Sequence, residues 1–567
     1  MPDNADSKQI IWYNNGVKEI VQKRSYLMSF VTNSCQQLSL DDTTSQLTDR
    51  ERRFLEKSWG AYFGDHVFPY IDEQMFSVLY SDNKASRPNT PVNVLFGANI
   101  LKENFGQTDD GIIESLMFDV RYQVALHTTS FQEQPLSDKS LERFRRRLLE
   151  YEAETGIDLV HECMVKLSSQ MAGFLKISGS VKRMDSLMIE SNIRKMSRLE
   201  LLYTCTANMV QRLCKNGEVS LISGMEHYTE PDDRNRVIYH NHSEETADKI
   251  EAVLADARKL MQTIPEKYTD SSEWILLKKV LSQQTVEEGG KLRLRTKEEG
   301  LSGLIQNPYD PEATYRKKAG KGHIGYTANI IEDVSVNEDG KAEGSIITDY
   351  QVEQNTYSDS QFMKDEISRL GKQDEEVTII TDGAYGSKEA QELAALNNIH
   401  HVPTDLTGRD VNEFLAAFKM SEDGTRVLEC PNGEAPKACN YNKNTGACRA
   451  SFYASKCSGC PYRDKCRPKF HKRTTVLMIS KGQIARAVKQ AEMQTSEYKK
   501  YGRIRNGVES IPSMLRRFCH VDDMPIRGRL RIKQRFSFMI GAVNFRKLRR
   551  QKPRDTYAQK TAVAAFG

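Results

Sequence analysis

The sequence predicts a mixed α/β fold: a sheet-based core with a helical N-terminal region, a helical insertion and a small cysteine-rich insertion. Three observations lead there. Between residues 323 and 406, strand-like and helix-like stretches alternate around a β-branched run, Val377, Ile379 and Ile380, that stops at Gly383 and Gly386. Within 199–306, apolar residues such as Ile250, Val253, Leu254, Ala257, Leu260 and Met261 keep helical spacing. Six of the eleven cysteines fall within 430–466.

A chain of 567 residues is too long for one core and should hold roughly three or four domains. It is 38% hydrophobic and 28% charged, and no apolar run is long enough to span a bilayer. The opening MPDNADSKQ lacks the basic and apolar regions of a signal peptide. Cytoplasmic residence without a membrane partner is expected, with cysteines as thiols or metal ligands rather than disulfides. Residues 501–560 carry 16 Lys and Arg against 4 Asp and Glu, a local +12 within a total of +4, so the rest of the chain is −8. Basic residues here interleave with Phe518, Phe536, Phe538, Ile540 and Val543, which favours a folded, nucleic-acid-facing surface over a solvated tail.

In chain order, residues 1–89 read as a helical N-terminal region ending in a linker over 81–91. Residues 90–155 hold three helix-like segments, 92–104, 108–126 and 137–151. In the third, Leu141, Phe144 and Leu148 form one stripe, with Arg143, Arg145, Arg146 and Arg147 around the remaining surface. That pattern suits either a helix-turn-helix that binds DNA through Arg145 and Arg146 or a charged solvent face. A strand centred on Asp185 opens the core at 176–198, and a helical insertion occupies 199–306. The core resumes over 307–424: a basic, turn-rich lead containing Lys317 and Lys318, the strand runs HIGYTANII and GSIITDYQV, a helix at 358–370, VTIITD, a helix at 387–396 and HHVPTDL. Asp382 then stands at the carboxyl end of a strand, where open α/β sheets gather their chemistry.

Residues 425–470 interrupt the core. Cys457 and Cys460 form a C-x2-C knuckle with Cys466 six residues beyond. The surrounding sequence is turn-forming and weakly apolar, and thiolate-bound Zn2+ would staple it. Cys430, Cys457, Cys460 and Cys466 are the favoured ligands, with Cys439 and Cys448 as alternatives or a partial second site. The last part of the core, 475–550, is basic and helical, and 551–567 is a tail. If 503–517 is mostly helix, Arg505, Glu509 and Arg516 nearly share a face, with Pro512 either in the first turn or at a kink.

Two aspartates on strands and a glutamate on a later basic helix can hold two Mg2+ ions, hard cations that bind carboxylates and phosphates. Two such ions about 4 Å apart activate an attacking oxygen and stabilise a leaving oxygen in an in-line displacement at phosphorus. No nucleophilic Ser or Cys motif and no Walker phosphate loop competes.

The motifs DSLMIESN at 185–192, TDGAYGS at 381–387 and RNGVES at 505–510 resemble those of DDE transposases from bacterial insertion sequences. YRKKAGKGHIGY at 315–326 and CPNG…CSGCPYRDKC resemble the branch with an InsH-like N-terminal domain, here 90–155. The resemblance covers roughly residues 85–550. It implies a ribonuclease-H-like, retroviral-integrase-type core and Mg2+-dependent DNA cleavage and strand transfer, with Mn2+ able to substitute. It also implies binding of terminal inverted repeats and target DNA, self-association as a dimer on DNA, and a bacterial, nucleoid-associated location. Carried over by position, the triad is Asp185, Asp382 and Glu509. The family pattern Y-x2-R-x3-E-x6-K fits at Arg505 and Glu509; Arg516 replaces Lys, and Tyr501 stands one residue too far upstream. The resemblance thus gives Arg505 and Arg516 a phosphate-binding role. The alternatives are a nuclease of the same fold without strand transfer, or a non-catalytic zinc and helix-turn-helix DNA-binding protein, in which the three carboxylates have no reason to converge.

Overall fold

A computed structural model describes residues 28–551, except 34–41, 82–86, 132, 138, 240–243, 319, 407 and 409–410. The polar opening stretch, residues 82–86 of the predicted linker and the tail beyond Gln551 lie outside the described residues.

The core sheet is built from β1 (Val181–Glu190), β2 (Thr314–Lys318), β3 (Lys321–Val336), β4 (Ala342–Gln354), β5 (Val377–Thr381) and β6 (Ile399–Pro403). Its order is β6-β5-β1-β3-β4, with β2 pairing the first residues of β3. β1, β3 and β4 are antiparallel neighbours, whereas β5 and β6 run parallel to β1. Three antiparallel strands followed by two parallel ones fit a ribonuclease-H-like core. Strand β2 lies where a turn-rich lead is predicted. Its residues TYRKK are polar on both faces and lack the apolar alternation that marks a strand, so the β3 backbone supplies the pairing.

Around the first part of the sheet and in the insertion lie α1 (Val92–Phe105), α2 (Asp109–Phe118), α3 (Val120–Ala125), α4 (Ser140–Thr155), α5 (Leu159–Phe174), α6 (Arg198–Lys215) and α7 (Thr246–Thr263). Further along are α8 (Ser272–Gln284), α9 (Asp359–Leu370), α10 (Lys388–Leu396), α11 (Lys481–Met493), α12 (Tyr498–Asn506), α13 (Ser510–Cys519) and α14 (Arg529–Arg550). The insertion has its own core, in which Leu202, Met209, Leu213, Ala257, Leu260 and Leu277 are fully buried. A hairpin over Thr285–Glu288 and Lys291–Leu294, turned at Gly289-Gly290, adds strands to a segment predicted as helical.

The main hydrophobic cluster runs from Phe63 to Leu548. The boundary expected near residue 90 therefore does not separate two cores. Phe96 of α1 meets Phe538 edge-on at 5.2 Å, and Phe63 meets Phe545 at 5.0 Å. Helix α14 also closes the outer edge of β4. The Asn544 amide exchanges bonds with the Ile347 backbone, and the Gln551 amide does the same at Ser345. Backbone groups on an open edge otherwise invite foreign strands.

Part of the basicity of 501–560 is turned inward. Lys533 binds Glu152 and Asp158 at 2.8 and 2.9 Å, Arg535 binds Glu103 at 3.1 Å, Arg529 binds Glu353 at 2.9 Å, and Lys547 pairs with Glu332. The acids come from the segments that carry the compensating negative charge. Charge clustered along the chain is thus only in part charge at the surface, where Arg503, Arg516, Arg517, Arg527, Arg531, Arg549 and Arg550 remain exposed.

The cysteine-rich insertion builds a sheet of its own, in the order β7 (Ala438–Asn442), β8 (Ala447–Tyr453), β10 (Thr474–Ser480) and β9 (Lys469–Phe470). Cys448, Ala450 and Phe452 alternate inward on β8 and pack with Leu415, Phe418, Val427, Ile479 and Ala487. A segment read as turn-forming and weakly apolar thus has a core, because flanking residues supply half of it. Cys439 and Cys448 are joined by a disulfide across β7 and β8. They are therefore neither alternative zinc ligands nor free thiols.

Candidate active site

β1 and β5 pair in parallel, with Val181 level with Thr378 and Arg183 level with Ile380. Continuing that register by two residues brings Asp185 level with Asp382. The 197-residue interval between them is the register offset itself. Residues level on neighbouring parallel strands stand about 4.8 Å apart and face the same way.

Glu509 arrives from the other direction, in a tight turn over Gly507–Glu509 between α12 and α13. Beneath this turn, Arg183 donates from Nε to Glu332 at 2.6 Å and from Nη1 to the Ile504 carbonyl at 2.6 Å. Gly507 makes that approach possible, since a Cβ there would stand 2.1 Å from Arg183 Nη1. Arg183 is two residues before Asp185, so one buried guanidinium ties the aspartate strand to the glutamate turn.

The three carboxylates meet at Arg505. Its Nη2 is 3.9 Å from both Asp185 Oδ2 and Asp382 Oδ2, and Nη1 is 3.3 Å from Glu509 Oε1. The aspartate oxygens are thus no further apart than twice the first distance. Their side chains are 19% and 31% exposed, against 64% for Glu509. Burial raises the Asp185 carboxyl above the ordinary aspartate range, with Asp382 adding to the rise and Arg505 opposing it. Asp382 is raised by burial as well, with Asp359 and Asp405 adding to it. Asp382 Oδ1 accepts the Ala384 N–H at 2.8 Å, while Asp405 accepts the Gly383 N–H.

Of the other residues predicted to touch DNA, Lys317 and Lys318 are exposed on β2, and Lys318 is close enough to Asp185 to help hold it ionised. Arg516 is turned away from the carboxylates and binds Asp522 at 2.9 Å. Arg145 is engaged inside the helical region, with its guanidinium on Asp109 and Nη1 3.1 Å from Asn99 Oδ1. Arg146 is exposed, 3.6 Å from Glu150. Sequence reasoning missed Asp359, Asp405 and Arg183. Their only signal is a place just after β4, just after β6 and within β1, which does not distinguish them from other polar residues there.

Cys430, Cys457, Cys460 and Cys466 line one cavity of about 30 Å³ beside Phe414 and Phe418. Burial pushes the Cys466 thiol up to about 11, and the neighbouring thiols add to the rise. Among the described residues, no three His, Cys, Asp or Glu side chains are gathered closely enough to hold a metal ion. The thiols suit Zn2+ in chemistry and share a cavity without closing on a common point. The carboxylates suit Mg2+ in chemistry and converge instead on a guanidinium.

Residues 429–549 match the family model of the transposase DDE domain. This similarity to a DDE transposase covers the cysteine-rich sheet, α11–α14 and Glu509, and begins after both aspartates. No curated protein matches the sequence. Among solved structures, the chain is similar to a piggyBac transposase, seen by cryo-EM in a synaptic complex with hairpin DNA. The likeness covers 91% of this chain and 82% of that one at 9% identity, with a TM-score of 0.25. So low a score carries no argument. No helix among the described residues is long and apolar enough to cross a membrane.

Proposed function

We propose that the chain is a DNA transposase of the DDE class that cleaves the ends of a mobile element and joins them to target DNA. The observation that carries the reading is the meeting of Asp185, Asp382 and Glu509 around Arg505, on a sheet whose order fits a ribonuclease-H-like core. The transposase-domain match around Glu509 supports it independently. The bacterial insertion-sequence branch, the inverted-repeat partner, the dimer on DNA and the InsH-like role of residues 90–155 are part of the same proposal.

In this reading Asp185, Asp382 and Glu509 would hold Mg2+, or Mn2+ in its place. When bound, the ions supply activation of the attacking oxygen and charge stabilisation of the leaving oxygen. The chain's own residues do the positioning. Asp405 and the Ala384 N–H fix the turn that presents Asp382, and Arg183 fixes the turn that presents Glu509. Arg505 holds the three carboxylates together, and with DNA bound its fork pairs with a phosphate. Lys317 and Lys318 add positive charge beside Asp185. Cys430, Cys457, Cys460 and Cys466 would be the ligands of a structural Zn2+, a reading supported by their shared cavity.

The test is cleavage and joining of a labelled transposon end by wild type and by Asp185→Asn, Asp382→Asn and Glu509→Gln. Each substitution keeps size and removes a metal-binding charge, so the rate should fall by several orders of magnitude while DNA binding survives. Cleavage without strand-transfer products points to the nuclease. A folded, DNA-bound Asp382→Asn protein that cuts normally removes the active-site assignment.

A further inference from the structure

Beside Glu509 the chain forms a second feature that the carboxylate cluster does not use. Ser510, Ser513 and Arg517 fall at i, i+3 and i+7 of α13 and share one face. Lys547, Arg550 and Gln551, at i, i+3 and i+4, share one face at the end of α14. The two faces line a cleft of about 380 Å³, with no acidic side chain among its described lining residues. Arg517 and Arg550 are exposed and have no carboxylate partner among the described residues. Arg529, Lys533, Arg535 and Lys547 of α14, by contrast, point inward to acids.

The floor of the cleft is positive as well. Lys547 is buried, pairs with Glu332 and donates to Ser345 Oγ at 2.8 Å. Glu332 is fully buried and also takes Arg183. Two cations share one carboxylate, leaving a net positive charge under the cleft where water screens it least. On one side Arg546 lies over the Phe518 ring at 3.9 Å, which fixes that wall. Ser513 contributes a hydroxyl at the rim, and Ser510 directly follows Glu509.

We propose that this cleft is a phosphate-binding groove that holds the backbone of the DNA strand leading away from the carboxylate cluster. Charge complementarity selects the occupant: two guanidiniums without a carboxylate partner among the described residues, a positive floor and a serine hydroxyl suit successive phosphodiesters, which repeat on the scale of such a cleft. The groove touches phosphate alone, so it contributes affinity and register without reading sequence. The proposal rests on the reading that the chain acts on DNA.

The experiment measures binding of a fluorescent duplex to full-length protein at several salt concentrations, in EDTA so that no cleavage intervenes. Wild type, Arg517→Ala, Arg550→Ala, the double variant and Arg517→Lys are compared, with folding checked by circular dichroism. Removing one arginine–phosphate pair should flatten the plot of log affinity against log salt by about 0.9, and the double variant should flatten it by roughly two. Arg517→Lys should restore the wild-type slope. A double variant with the wild-type slope overturns the groove. So does a double variant that loses stabilisation by inorganic phosphate in thermal melting while its DNA slope stays unchanged, because the cleft then takes a free anion. A wild-type protein that binds duplex DNA in EDTA but does not cut a labelled transposon end in a parallel assay with Mg2+ removes the catalytic reading and leaves the slope comparison intact. One that binds no DNA at low salt removes both.

Discussion

Replacing Arg505 by Met, which keeps length and removes charge, separates two things the guanidinium does. Coulomb's law gives about 4 kcal/mol for unit charges at 4 Å in an effective dielectric of 20, and about 1 kcal/mol in water. The pairs with Asp185 and Asp382 stand at 3.9 Å and are partly exposed, so each lies between these bounds. The Glu509 pair is mostly exposed and adds only about 0.3–0.5 kcal/mol. Against this, Arg505 Nε is buried without a hydrogen-bond partner, which costs about 1–3 kcal/mol. With each aspartate pair taken at about 2 kcal/mol, the three sum to about 4–5, and the Nε cost leaves roughly 1–3 kcal/mol that an entering divalent ion must replace.

Arg505→Met should therefore bind Mg2+ or Mn2+ about tenfold to a hundredfold more tightly, at about 1.4 kcal/mol per factor of ten. The assay is calorimetric titration of DNA-free protein with either ion. Cleavage of a labelled end should fall in the same variant, because the phosphate clamp is gone. Tighter metal with slower cleavage is the signature of a cation that both competes for the site and serves the substrate. Unchanged or weaker metal binding would refute the competition, and wild-type cleavage would refute the clamp.

Three further outcomes follow from other parts of the fold. Gly507→Ala improves helix propensity by about 1 kcal/mol yet drives a Cβ into Arg183, so denaturant unfolding should show a net loss of roughly 1–3 kcal/mol; a stabilised variant would mean the turn yields freely. Glu366 is pushed up to about 7 by burial, which outweighs an Arg369 shared with Asp349. A carboxyl raised in the folded state stabilises fully below its unfolded value of 4.5, and that contribution is lost as pH rises through about 7. Glu366→Gln should flatten the fall in thermal stability over that window, and an unchanged profile would assign the fall elsewhere. For the cysteine-rich sheet, protein purified without added metal should hold about one Zn2+ per chain and lose local structure on chelation. Mass spectrometry without reductant should find Cys439 and Cys448 cross-linked, and a metal-free, fully folded protein with Cys430, Cys457, Cys460 and Cys466 freely titrating would exclude zinc.

The strands and helices of the core were legible because their periodicities are local. Val377–Thr381 reads as a buried strand and Thr246–Thr263 as an amphipathic helix from their own residues, and both form where expected. The aspartates could be picked out because Asp185 lies within a strand and Asp382 directly follows one, and the separation in sequence between them persists as a strand register. Where chemistry is carried by an element's own side-chain order, the sequence states it.

Tertiary structure decided everything that depends on a partner from elsewhere in the chain. β2 has no apolar alternation and becomes a strand only because β3 offers it a backbone. The cysteine-rich segment gains a core from Leu415, Phe418 and Ala487, which lie outside it, and Cys439 meets Cys448 through the pairing of β7 with β8. The basic C-terminal stretch predicts a DNA-facing surface, but Arg529, Lys533, Arg535 and Lys547 of α14 find acids hundreds of residues away, leaving Arg517, Arg531, Arg549 and Arg550 among those facing solvent. Arg505 reads as one more arginine beside a glutamate until the sheet brings two aspartates to its other nitrogen. A sequence records which charges exist and how they are spaced along one element. Their sign at the surface depends on which of them the fold neutralises, because attraction between charges falls with distance in space and takes no account of distance along the chain.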